Sequence, residues 1–146
     1  MQGFDYREGY YFITICTTGR TLRFGELRNE MMVLNKAGKA VESTWRDLPI
    51  HYLNLQLDEF FTMPNHFHAI AILEGQGHNL SEIVRGFKTW SSRRVNKILN
   101  SAGTPLWQRS FYDHVIRDER DLHSIREYIA NNPLQWELDH ENPKNL

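Results

Sequence analysis

Residues 62–73 read "TMPNHFHAIAIL": a Pro-Asn turn, two histidines one residue apart, then an apolar run. The turn residues followed by that run predict a hairpin connection opening into a buried strand. Residues two apart in a strand share a face, so His66 and His68 project together with Ile70 and Ile72, while Phe67, Ala69, Ala71 and Leu73 point the other way. Two imidazoles side by side make a metal chelate, or half of one. A plainer alternative stands beside it, in which a turn histidine and a half-buried strand histidine are each satisfied by hydrogen bonds.

Working outward, Leu53, Leu55 and Leu57 alternate with Asn54, Gln56 and Asp58, so residues 53–63 read as the strand that precedes the turn. Upstream, "YYFITICTT" at residues 10–18 is rich in β-branched and aromatic side chains and stops at Gly19, a further strand. Between them lies a loop with room for a short hairpin, then Ala37, Ala40, Val41, Trp45 and Leu48 at helical spacing, with Asn35 as cap and Pro49 as stop. Downstream, Asn79 and Glu82 form a capping box for a helix whose stripe is Leu80, Ile83, Val84, Phe87, Val95, Ile98 and Leu99. That stripe fades near Asn100 and Gly103. Residues 111–117, "FYDHVIR", read as a fourth main strand. A last helix follows, capped by Asp118, with Leu122, Ile125 and Ile129 inward and Pro133 as its bound. The order βαββαβ plus one helix predicts an α+β, ferredoxin-like fold with an antiparallel sheet.

Composition limits what the histidines can belong to. At 146 residues, with 40% hydrophobic and 12% aromatic content, residues 1–146 are expected to form one domain. Seventeen basic against 18 acidic residues give no overall polyanion signal. Cys16 is the one cysteine, which excludes an intramolecular disulfide and a Cys-rich structural zinc site. The first residues lack the pattern of a signal peptide and no apolar run reaches spanning length, so a soluble, cytoplasmic protein with no membrane partner is expected.

If a metal binds at the histidines, the site is open, which directs attention to the last helix, "REYIANNP". At 100° per residue, Tyr128 and Asn132 lie about 40° apart, at the margin of the inward stripe. Each alone has an ordinary reading, since tyrosines pack at core margins and asparagines precede prolines. His114 shares strand parity with Tyr112 and Ile116 and is given no catalytic role.

These residues resemble the single-tyrosine HUH transposases, the IS200-like group, and particularly its REP-associated tyrosine transposase branch. "MPNHFHAI" resembles the family's histidine, hydrophobic, histidine metal motif. "LWQRSFYDHVIRDERDL" resembles the segment leading into the catalytic helix, and "REYIANNP" the helix carrying the nucleophile. The resemblance spans residues 10–136. It implies that His66 and His68 are metal ligands, that Tyr128 is the catalytic nucleophile and that the last helix is the catalytic one. IS200-type enzymes use glutamine four residues after the tyrosine as third ligand; this chain has Asn132 there, a departure similar to the REP-associated branch.

The implied function is that of a metal-dependent single-stranded DNA endonuclease and strand transferase, passing through a 5′-phosphotyrosine at hairpin-forming palindromic elements. The donor set suits Mn²⁺ or Mg²⁺. For the partner, single-stranded or hairpin DNA, the second helix offers Arg85, Lys88, Arg93, Arg94 and Lys97 against Glu82, with Trp90 among them to stack on bases. Arg109 is a further phosphate contact to consider. The alternatives are a catalytically silent nucleic-acid-binding domain and another HUH nicking enzyme. The state, monomer or homodimer, is open.

Overall fold

The computed structural model describes residues 3–101 and 103–138. Its main sheet is built from β1 (Gly9–Cys16), β4 (Leu55–Met63), β5 (His66–Leu73) and β6 (Tyr112–Ile116), in the order β4-β5-β1-β6. Every neighbouring pair is antiparallel, and β5 lies between the two strands of the split βαβ unit. This is the ferredoxin-like arrangement that the element order predicts. The loop after β1 does hold a hairpin, β2 (Gly25–Arg28) with β3 (Met31–Leu34), as a separate two-stranded sheet.

Helices α1 (Lys36–His51) and α2 (Leu80–Leu99) cover one face of the sheet, and α3 (Glu119–Asn131) covers the other. Strand parity sorts the side chains between these layers. Ile13 and Ile15 of β1 and Phe67, Ala69 and Ala71 of β5 pack beneath α1 and α2, where Trp45 meets Phe67 and Phe87 edge-on. Tyr10, Ile70, Ile72 and Ile116 meet Leu122, Ile125 and Ile129 of α3 in a smaller cluster. Fully burying each such side chain contributes about 1.5–3 kcal/mol. Gly86 permits the close approach of α2 to the Tyr52 hydroxyl, which a β-carbon there would strike.

The caps are as the sequence reads. The Asn35 side chain accepts from Gly38 N–H, Asn79 and Glu82 make a reciprocal capping box, and Asp118 accepts from Asp121 N–H. Two boundary expectations fail, and Ile98 and Leu99, read into the apolar stripe of α2, are exposed. Pro49 does not stop α1, which runs on to His51; a proline this close to the end forfeits one intrahelical bond, and the Tyr52 N–H still reaches Leu48 O. Leu53 is 89% exposed and precedes β4, because its leucine alternation begins in a turn and only Leu55 enters the sheet. Further along, the β4–β5 register shifts between Leu57 and Phe60, a bulge that sets Asp58 and Glu59 opposite Ile70.

Candidate active site

His66 and His68 stand at the turn end of β5, on the face covered by α3, both buried and with ring centroids 4.5 Å apart. Each ring is oriented through its Nδ1. Asn65 Oδ1 lies 2.9 Å from His66 Nδ1, and Asn65 Nδ2 donates to the Arg20 carbonyl at 3.2 Å. That second bond fixes which end of the amide faces the ring. An amide oxygen only accepts, so His66 Nδ1 carries a proton and the lone pair of the neutral ring lies on Nε2. The Thr14 hydroxyl stands 2.9 Å from His68 Nδ1, its register partner in the β1–β5 ladder, and holds that ring through a hydrogen bond compatible with the same tautomer. Both Nε2 atoms are buried. A metal-ligating histidine needs this arrangement, with one nitrogen held by a second group and the other turned inward.

Asn132 continues the helical path past α3 with φ −56° and ψ −42°, and its side chain is 1% exposed. Its Oδ1 is buried and receives no hydrogen bond among the described residues. An unsatisfied buried acceptor costs about 1–3 kcal/mol, so this one calls for a cation or water. Tyr128 is 40% exposed and meets the rings of His68 and Phe12 edge-on, at centroid distances of 5.5 and 6.0 Å. Trp136 lies over the other histidine, 6.1 Å from the His66 ring. His66, His68 and Tyr128 are thus in contact, each with the next, at one end of the sheet, and Asn132 follows Tyr128 by about one helical turn. Among the described residues no three His, Cys, Asp or Glu side chains come together as a metal cluster. The donors on hand are two imidazoles and an amide oxygen, too few for a closed structural zinc site and suited to a harder cation that keeps positions open for other ligands.

The basic residues of α2 are placed elsewhere. They belong to the layer on the far face of the sheet, away from the histidines. Arg85, Arg93 and Lys97 are exposed. Arg94 pairs with Asp47 at 3.0 Å and reaches Thr44 Oγ1 at 3.2 Å. Together with Trp90 and Arg93 these residues line a cleft of about 280 Å³ between α1 and α2. Trp90 is half-buried, its ring 4.4 Å from that of His51. Lys88 turns inward to the protein's own backbone, donating to the carbonyls of Gln108, Arg109 and Ser110 at 2.8, 2.9 and 3.1 Å. Burial pulls its ammonium below the ordinary lysine range, whereas three carbonyl acceptors favour the charged form. The loop it grips leaves the histidine end of the sheet, since Gln108 N–H donates to Cys16 O and Cys16 is the register partner of His66. Arg109 is exposed on that loop. His114 bonds to Asp121 at 2.9 Å, away from the histidine pair.

Three residues of this neighbourhood escape a reading of the sequence: Thr14, Asn65 and Asp58. The carboxylate of Asp58 receives a two-pronged contact from Arg126 of α3, at 2.9 and 2.6 Å. Only the asparagine carried a local signal, by preceding His66 in the turn.

Comparison with known proteins bears on the family and the fold. Residues 28–132 match the family model described as Transposase IS200 like. The chain belongs to the IS200-like transposase family, and is accordingly an enzyme of DNA transposition. Within it, the chain is 26% identical over 135 residues to a Haemophilus influenzae protein named "Putative REP-associated tyrosine transposase", covering 87% of this chain and 71% of that one. It is 37% identical over 161 residues to an uncharacterized protein of the same organism, covering 95% and 88%. Among solved structures, a REP-associated tyrosine transposase bound to a REP hairpin superposes with a TM-score of 0.65 at 17% identity, covering 92% of this chain and 71% of that one. A "putative transposase" from Deinococcus radiodurans gives 0.60 at 20% identity, over 90% and 95%. Among the described residues no helix is long and apolar enough to cross a membrane.

Proposed function

We propose that this transposase nicks and rejoins single-stranded DNA at hairpin-forming elements, with Tyr128 as nucleophile and a divalent cation held by His66 Nε2, His68 Nε2 and Asn132 Oδ1. The carrying observation is the pair of buried imidazoles, each held through its Nδ1, with the accessible Tyr128 ring against one of them and the unsatisfied Asn132 oxygen one helical turn beyond that tyrosine. Mn²⁺ or Mg²⁺ bound there supplies Lewis-acid polarisation and orientation of the scissile phosphate. The chain's own residues do the rest. Asn65 holds the His66 ring in the ligating tautomer, and Thr14 orients the His68 ring through its Nδ1. Phe12 and His68 flank the Tyr128 ring edge-on and limit its rotation. The phenol oxygen forms a bond to phosphorus as the bond to the 3′ oxygen breaks; the phenol gives up its proton and the departing oxygen gains one. The products are a 5′-phosphotyrosine and a free 3′-hydroxyl, and the retained ester lets the strand be rejoined.

Hairpin DNA as the partner rests on the solved relative, which is bound to one. Arg85, Arg93 and Lys97, with Trp90 and Arg94 beside the α1–α2 cleft, form the phosphate-contacting and stacking face. Arg109, on the loop that runs from the histidine end toward Lys88 of α2, stands between that face and the site.

The test is a covalent adduct. Labelled single-stranded hairpin DNA incubated with protein and Mn²⁺ should give a band that survives denaturation, and Tyr128→Phe should abolish it while keeping fold and hairpin affinity. Reversible binding alone across a broad hairpin panel would make the chain a silent binder. Cleavage by the Phe variant without an adduct would make it a water-activating nuclease.

A further inference from the structure

The ion pair between Asp58 and Arg126 lies outside the chemistry described above. Its carboxylate side chain is 4% exposed and its guanidinium 22%. Arg Nε and a terminal nitrogen each contact one carboxylate oxygen, the two-pronged geometry that fixes direction as well as distance. Asp58 is itself held, since its Oδ1 also accepts from Glu59 N–H at 2.8 Å. Alternation with Leu55 and Leu57, which face α1 and α2, puts it on the α3 face opposite Ile70, at the start of the β4 bulge.

We propose that Asp58 and Arg126 are the positioning pair for the nucleophile, fixing the rotational setting of α3 that brings Tyr128 beside His68. This rests on the reading of Tyr128 as nucleophile. The helix is docked through Leu122, Ile125 and Ile129, and apolar contacts of that kind resist separation without specifying direction. Counted at 100° per residue from Ile125, Arg126 lies about 100° to one side of the inward line and Tyr128 about 60° to the other. In the sheet the same order holds: Asp58 belongs to the outer strand β4, whereas the rings beside Tyr128 belong to β5 and β1. A roll of α3 about its axis moves its two flanks in opposite senses, so a roll that lifts Tyr128 from His68 also drives Arg126 toward the sheet and out of its aligned two-pronged contact with Asp58. With a side-chain tip ~6 Å from the axis, a ~10° roll moves it ~1 Å. Displacements of that size at a reacting group cost about 10²-fold in rate.

Asp58→Asn keeps shape while removing the charge and one acceptor. At saturating hairpin DNA and Mn²⁺, the rate of adduct formation should fall by about 10²-fold, with hairpin Kd unchanged. Arg126→Lys, which keeps the charge and loses the fork, should fall between the two. The double variant Asp58→Arg with Arg126→Asp should recover part of the lost rate. An Asp58→Asn rate within about twofold of wild type would overturn the proposal. So would equal loss of rate and hairpin affinity in all three variants, which would make the pair a fold support only. Persistence of the adduct in Tyr128→Phe would instead overturn the nucleophile assignment, whatever the Asp58 variants do.

Discussion

Replacing Asn65 by Ala removes the acceptor of His66 Nδ1 and the donor to Arg20 O, but leaves the backbone of the turn in place. The Asn65 carbonyl would still accept from Thr17 N–H at 2.9 Å and from the Thr17 hydroxyl at 3.1 Å, so the turn should survive. The loss of the two side-chain bonds should cost about 1–3 kcal/mol of stability, since His66 is fully buried. Its effect on the cation is the sharper quantity. Groups that orient a ligating histidine are worth 10–100-fold in metal affinity, about 1.4–2.7 kcal/mol, because without them the ring loses its tautomeric preference and its aim. Titration of Mn²⁺ by calorimetry, with free ion followed by electron paramagnetic resonance, should show that weakening. Adduct formation at saturating Mn²⁺ should stay near wild type. Asn65→Asp keeps an acceptor toward His66 and should weaken Mn²⁺ binding less than Asn65→Ala. Unchanged Mn²⁺ affinity in a folded Asn65→Ala protein would refute the assignment of Asn65 as the group that orients His66.

The remaining expectations separate gripping the backbone from gripping DNA. Lys88→Met should lower stability by about 1–2 kcal/mol, seen as a fall in Tm, and leave the salt slope of hairpin binding as in wild type. Arg93→Ala should do the reverse, reducing that slope by about 1 with Tm held. For Asp58, burial taken alone raises the carboxyl pKa, yet the Arg126 hydrogen bonds and charge and the Glu59 N–H outweigh it and leave the group below its ordinary value. A carboxyl depressed in the folded state stabilises above its unfolded pKa and loses that contribution as pH falls through the folded value. Acid denaturation followed by circular dichroism should therefore show a stability decline below about pH 4 that is shallower in Asp58→Asn. An equally steep decline in the variant would place the acid sensitivity elsewhere.

Local periodicity carried much of the fold. Asn35, the Asn79–Glu82 box and Asp118 announce their helices because capping is settled within three residues of chain, and strand parity alone puts His66 and His68 on the face of Ile70 and Ile72. Where two local rules competed, the reading slipped. Pro49 breaks helices, but near a C-terminus it breaks little; Leu53 fits an alternation that starts before the strand does. Thr14 meets His68 across 54 residues and Arg126 meets Asp58 across 68, separations over which no pattern in the chain signals a partner. Lys88 shows the same limit differently: helical spacing tells which side of α2 it occupies, but only the folded loop shows that carbonyls wait there.

The two walls of the site are anchored with unequal firmness. His66 and His68 belong to β5, hydrogen-bonded along both edges inside the sheet, whereas Tyr128 and Asn132 ride on or just past a single helix seated through Leu122, Ile125 and Ile129 together with the Asp58–Arg126 and His114–Asp121 contacts. Regions with fewer contacts open at lower free energy than the interior of a sheet. Amide hydrogens of α3 should thus exchange with deuterium well before those of β5, and under the proposed function a strand of DNA would displace the helix-borne wall sooner than the histidine pair. Entry and exit of a substrate can in this way proceed at a cost far below that of unfolding the chain.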